Sequence, residues 1–134
     1  MNSKSLRSHG FRSWYEFSIR NEDRLLRSVP REKGVYVIKY ERQFERFKGK
    51  SDIMYFGSSE DKKHGLRRRI RFFFHPGKTQ TTSKRINEWM NTINGFEISF
   101  ITRCKRKKPR TLETHLIAEY GKKHGEFPPW NRRA

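Results

Sequence analysis

Cysteine is almost missing from this chain: Cys104 stands alone among 134 residues. That excludes an intrachain disulfide and a zinc site built from thiolates. Long apolar runs are missing too. No segment approaches a membrane span, and none sets a long apolar face against a basic one as a surface-bound helix would. The N-terminus is charged, with no apolar stretch behind it, so a secretory signal is not expected and the chain reads as intracellular, in the cytoplasm. Acidic residues are scarce, 14 against 32 Lys and Arg, for a net charge of +18. Such self-repulsion opposes compaction unless a polyanion relieves it. Nucleic acid is therefore the first partner to consider and an anionic membrane surface a distant second.

What remains is enough for one domain over residues 1–134. Only 32% of residues are apolar, but eleven are Phe, and large rings give a compact core much of its buried area. Residues 1–30 read as a helical extension, with an amphipathic helix from about Ser13 to Ser28 that turns Trp14, Phe17, Leu25 and Leu26 inward and stops before Pro30. Gly34–Tyr40 reads as a strand, Glu41–Ser51 as a charged hairpin loop, and Ile53–Gly57 as the returning antiparallel strand. A polar loop precedes a helix over Gly65–Phe74, ended by His75-Pro76-Gly77. Ser83 is a candidate N-cap for a short helix carrying Ile86, Trp89 and Met90. After Asn94-Gly95, Phe96, Ile98 and Phe100 alternate as a third strand. A basic run, Arg103–Arg110, leads into a last helix near Thr111–His124, which Gly125 ends.

On that last helix Leu112, Leu116, Ile117 and Tyr120 form an apolar stripe, and Glu113 falls inside it. An inward carboxylate is costly unless a cation or hydrogen-bond donors meet it. Either a structural arginine partner or a divalent metal, for which carboxylate oxygen is a natural ligand, would do so. In Leu66-Arg67-Arg68-Arg69-Ile70-Arg71 the wheel turns Arg68 away from the apolar face, while Arg67 and Arg69 flank it on opposite sides. Periodicity does not choose between those two as a guanidinium that holds phosphate. Tyr36 and Tyr55 lie on neighbouring strands. A phenol titrates near pH 10 and serves as a base only where cations favour the phenolate. His75, at a helix end, suits either proton transfer or an interaction with the helix dipole.

The succession Gly34-Val35-Tyr36, Tyr55-Phe56-Gly57, Leu66-Arg67-Arg68-Arg69-Ile70, Leu112-Glu113-Thr114-His115-Leu116-Ile117 and Pro128-Pro129-Trp130-Asn131 resembles the GIY-YIG nuclease superfamily. The resemblance covers residues 34–131 as the catalytic core. It departs in Phe56, where Ile or Val is usual, in a longer stretch between the first two motifs, and in extra residues before the arginine helix.

The resemblance implies an α+β fold of the α/β class, a three-stranded antiparallel sheet flanked by helices in ββαβα order. It also implies a single-metal endonuclease with no small-molecule cofactor. On that basis Tyr36 is the general base, Tyr55 helps position the water or phosphate, and Arg69 rather than Arg67 stabilises the phosphate. Glu113 holds one Mg2+ or Mn2+ ion, and Asn131 supports the site. His75 is an additional catalytic candidate, since some restriction-type members carry a histidine after the arginine. The expected partner is DNA, most readily double-stranded, with the backbone held by Arg67, Arg68, Arg71, Lys84, Lys105, Arg106, Lys107 and Lys108. One site per chain nicks one strand, and a double-strand break needs two copies or two visits. A non-catalytic DNA- or RNA-binding protein on the same scaffold is the alternative, and a ribosomal type of basic protein a third reading that leaves Glu113 unexplained.

Overall fold

The computed structural model describes residues 1–104 and 107–131. The fold is α+β, built on an antiparallel four-stranded sheet. In chain order come a 3-10 turn at Ser3–His9, strand β1 (Tyr15–Glu16), helix α1 (Glu22–Ser28), β2 (Gly34–Glu45) and β3 (Lys50–Ser59). Then follow α2 (Gly65–Phe74), α3 (Thr81–Thr92), β4 (Phe96–Ile101) and α4 (Pro109–His124). The strands lie in the order β1-β4-β2-β3, so β3 is an outer edge.

The expected three strands are present and a fourth joins them. Tyr15 and Glu16 pair with Ile98 and Glu97, and the Tyr15 ring stacks on Phe100 with centroids 5.3 Å apart. This corrects the helix expected over Ser13–Ser28, of which only Glu22–Ser28 is α-helical. Tertiary pairing with β4 outweighs the weak local periodicity around Trp14. The hairpin differs too: β2 continues to Glu45 and β3 begins at Lys50, leaving only residues 46–49 as loop. Contacts to the end of α4 hold that tip. Lys48 N–H donates to the His124 carbonyl at 2.9 Å, and Arg46 pairs with Glu126 at 2.8 Å. Helix α3 starts at Thr81 rather than after Ser83, and no side chain caps it.

The two faces of the sheet hold two cores. On one, Tyr36, Ile38 and Tyr55 pack with Leu25 of α1, Leu66, Ile70 and Phe73 of α2, and Ile86 of α3. On the other, Val35, Val37, Ile53 and Phe56 pack with Leu6, Phe11 and Leu112, Leu116, Ile117 and Tyr120 of α4. Ile53 and Tyr55 are two residues apart yet face opposite sides. The register slips between Ile38 and Lys39, which oppose Tyr55 and Ile53, so Met54 is the extra residue of a β-bulge. Beyond the bulge, Tyr55 sits beside Tyr36 on the α2 face.

Glycines allow the closest contacts near the site. At Gly34 a Cβ would stand 2.2 Å from the Ile101 carbonyl oxygen and 2.7 Å from Leu66 Cδ1. The first neighbour is backbone in a paired strand and cannot yield. Gly34→Ala should therefore lower stability by about 3 kcal/mol, read from urea midpoints. Gly77→Ala is the control, since its nearest neighbour is the flexible Gln80 side chain at 3.4 Å, and it should change stability by less than about 0.5 kcal/mol.

Candidate active site at the sheet edge

Tyr36 on β2 pairs directly with Gly57 on the edge strand. Because Gly57 has no side chain, the Tyr36 ring lies across β3: a Cβ there would be 2.3 Å from both Tyr36 Cζ and its hydroxyl. Tyr55 lies alongside, ring centroids 6.1 Å apart. The Phe73 ring meets both edge-on, at 5.8 Å and 6.3 Å. Arg69 comes from α2 on the same face. Glu113 comes from the first turns of α4 on the opposite face and accepts a hydrogen bond from the Ser58 hydroxyl. Four elements, β2, β3, α2 and α4, thus deliver two phenols, a guanidinium and a carboxylate to one stretch of edge.

These groups act on one another. Burial pushes the Tyr36 phenol well above its ordinary value, with Tyr55 and Glu113 adding to the rise and Arg69 opposing it. Burial likewise raises Tyr55, again against Arg69. The Tyr36 hydroxyl is buried and has no hydrogen-bond partner among the described residues. Arg69 is near enough to influence it but makes no well-formed bond to it. An orphaned buried hydroxyl costs about 1–3 kcal/mol. The half-buried Arg69 guanidinium is shifted above its ordinary value by Tyr36 and, less, by Tyr55, against its own desolvation. Glu113 is raised by burial, against the Ser58 hydrogen bond and the more distant Arg69 and Arg110. It makes no ion pair among the described residues, so the arginine-partnered reading of this carboxylate does not hold for the described residues.

Asn131 works on the backbone. Its side-chain amide donates to the Phe56 carbonyl at 3.0 Å and accepts from the Phe56 N–H at 2.9 Å. The Trp130 N–H donates to the Met54 carbonyl at 2.9 Å. The tail is thereby laced along β3 on either side of Tyr55, while the Trp130 ring stacks on Trp89 at 4.8 Å.

The other candidates are scattered. His75 lies at the C-terminal end of α2, exposed, with Nε2 2.6 Å from Glu22 Oε2. It ties α2 to α1 and is not among the groups acting on either tyrosine. Arg67 donates from Nε to the Val29 carbonyl at 2.8 Å, a structural bond. Arg68 is exposed, 3.6 Å from Asp61 and close to the Phe72 ring. Arg71 is exposed, as is Lys84, whose Nζ donates to the Lys78 carbonyl at 2.5 Å. Lys107 and Lys108 are exposed at the start of α4. Lys105 and Arg106 lie outside the described residues. Ser58 and Phe73 were not singled out from sequence. Ser58 belongs to β3 rather than a loop, and the alternation of Tyr55-Phe56-Gly57 extended by one residue would have put it on the α4 face.

Among the described residues no three His, Cys, Asp or Glu side chains gather as a metal cage. The donors present fit a different arrangement. Magnesium keeps several waters and is commonly held by one or two carboxylates plus substrate phosphates. A lone, desolvated carboxylate beside an unpartnered hydroxyl suits that chemistry. Comparison with protein-family models, curated proteins and solved structures finds no match to this chain.

Asn131→Ala should lower stability by about 1–3 kcal/mol, with faster amide exchange at Phe56 than at Val37. Exchange unchanged at Phe56 would contradict the lacing. For Glu113 the sign is as follows. Its folded value is raised above the ordinary 4.5, so the fold tolerates the protonated form better. Stability relative to Glu113→Gln should fall as pH rises from about 4.5 through the folded value, then level off. Urea midpoints of the two proteins between pH 4 and pH 8 measure this. A constant difference would mean the carboxylate is not desolvated.

Proposed function

We propose that the protein is a metal-dependent endonuclease that hydrolyses DNA phosphodiester bonds, with a GIY-YIG-type core formed by β2, β3, α2, β4 and α4. The observation that carries this reading is the convergence of Tyr36, Tyr55, Arg69 and Glu113 at the Gly57 edge, from elements on both sides of the sheet. The net charge of +18 supplies the sequence-blind attraction to the phosphate backbone.

In this reading Arg69 donates to the non-bridging oxygens of the scissile phosphate and offsets charge developing there. Glu113 would hold the magnesium or manganese ion, which when bound supplies Lewis-acid polarisation of the phosphate and positive charge that favours a phenolate. Tyr36 takes the proton of the attacking water, and Tyr55 orients that water. Burial leaves Tyr36 a neutral phenol near pH 7, so the base is little populated there and gains with pH. Asn131 holds the strand that carries Tyr55.

A non-catalytic DNA- or RNA-binding protein on the same scaffold is the second reading, and the burial of Tyr36 favours it. Plasmid nicking separates the two. With magnesium or manganese, the parent should convert supercoiled DNA to the nicked form, faster as pH rises from 7 toward 9. Glu113→Gln should show no nicking above background, and Arg69→Ala a loss of about 10²–10³. Tyr36→Phe should lose about 10²–10⁴ together with the pH slope. Tight binding without nicking in either metal would favour the second reading, and a Glu113→Gln protein as active as the parent would overturn the metal assignment.

A further inference from the structure

A second feature lies on the other side of α4. A cleft of about 610 Å³ opens between the end of the 3-10 turn, the chain leaving β4 and the first turns of α4. Ile101 and Leu112 give it an apolar wall, and Arg12, Arg103 and Lys107 stand along it. All three cations are exposed, and none has a carboxylate partner among the described residues. The nearby acids are engaged elsewhere. Glu119 lies 3.4 Å from Lys123 and 3.9 Å from His9, which also lines the cleft. Glu60 accepts from the Arg110 N–H at 2.8 Å.

Cationic side chains above an apolar wall suit a ligand with both an anionic and an apolar part. A bare phosphate leaves the wall unused, and an apolar molecule leaves the cations unused. A nucleotide satisfies both. The volume admits one such unit and not a duplex, so the nucleotide must be out of its base pair.

The position of the cleft connects it to the edge site. Leu112 and His115 face the cleft, while Glu113 faces Ser58. Only the width of one helix, about 10–12 Å, separates the two. We propose that this cleft takes one unpaired nucleotide of a DNA strand whose neighbouring phosphate lies at the Tyr36, Arg69 and Glu113 edge. DNA carrying an overhang, gap or flap is then selected over a blunt duplex. The placement of that neighbouring phosphate rests on the nuclease reading, whereas the nucleotide site itself does not.

Cys104 provides a readout independent of cleavage. It is the chain's single thiol, half-buried in the lining of the cleft. At matched saturation, a duplex with a short single-stranded overhang should slow its reaction with an aromatic disulfide reagent at least tenfold more than a blunt duplex of equal length. Arg12→Ala combined with Arg103→Ala should abolish that difference, and Lys107→Ala should reduce it. Both arginines are exposed, so folding should survive, which circular dichroism checks. Equal slowing by both duplexes overturns the proposal, as does undiminished protection in the double variant. A deoxynucleoside monophosphate that protects as well as the overhang, at the same concentration, overturns the strand assignment. Nicking retained without selective protection removes the cleft alone. Selective protection without nicking, in parent and Glu113→Gln alike, supports the cleft as a nucleotide site and removes the nuclease reading alone.

Discussion

The packing of the Tyr36 ring across Gly57 is the contact on which the edge site depends. Any side chain at position 57 would occupy the space of the phenol, and the ring could then not lie across β3. Glycine weakens a strand interior, and the buried hydroxyl lacks a partner, so this arrangement is maintained against two local costs. Phe73 pays part of the geometry by bracing both tyrosines edge-on. The bulge at Met54 adds the second phenol, because it lets Ile53 serve one core and Tyr55 the other without interrupting the pairing of β2 with β3.

Charge is distributed unevenly around this centre. The few acids mostly act as ties: Glu126 fastens the hairpin tip through Arg46, Glu22 holds His75, Glu97 meets Lys39, and Asp52 accepts from the Ser3 backbone and hydroxyl. Glu113 differs in kind. In a chain with 32 Lys and Arg it is met by a neutral hydroxyl. A cation close to it would relieve the desolvation that raises it, whereas the same carboxylate paired with arginine would have little left to offer a ligand. Most of the cations are left to solvent, where their repulsion is weak and an approaching polyanion feels them all.

Much of this was legible in the residues. The α2 helix occupies Gly65–Phe74 as its apolar spacing and the Pro76-Gly77 stop require, and Gly125 ends α4 in the left-handed conformation at φ 74°. The apolar stripe of α4, with Glu113 inside it, follows from the helical period alone. The choice of Arg69 over Arg67 did not. It came from the resemblance, and the structure turns Arg67 to the Val29 carbonyl. Apart from the start of α3, which is a local error of helix boundary, the failures share a cause, which is pairing between residues far apart in the chain. Tyr15 and Glu16 are strand only because β4 is there to receive them, and the hairpin lengthens because its tip is tied to α4. The bulge, the Ser58 contact and the cleft likewise depend on register and on three separate segments meeting, which no window of sequence contains.

The lacing of the C-terminal tail has a consequence for self-association. An outer strand with free amides and carbonyls is a template for another molecule's strand, and proteins guard such edges with charge, proline or a covering segment. Along β3 the carbonyl of Met54 and both polar groups of Phe56 are already occupied by Trp130 and Asn131, so one asparagine amide and one tryptophan N–H imitate a neighbouring strand. The same few atoms that hold the edge beside Tyr55 in register therefore deny it to intermolecular β-pairing. This guards against aggregation the one long strand that the sheet leaves at its border.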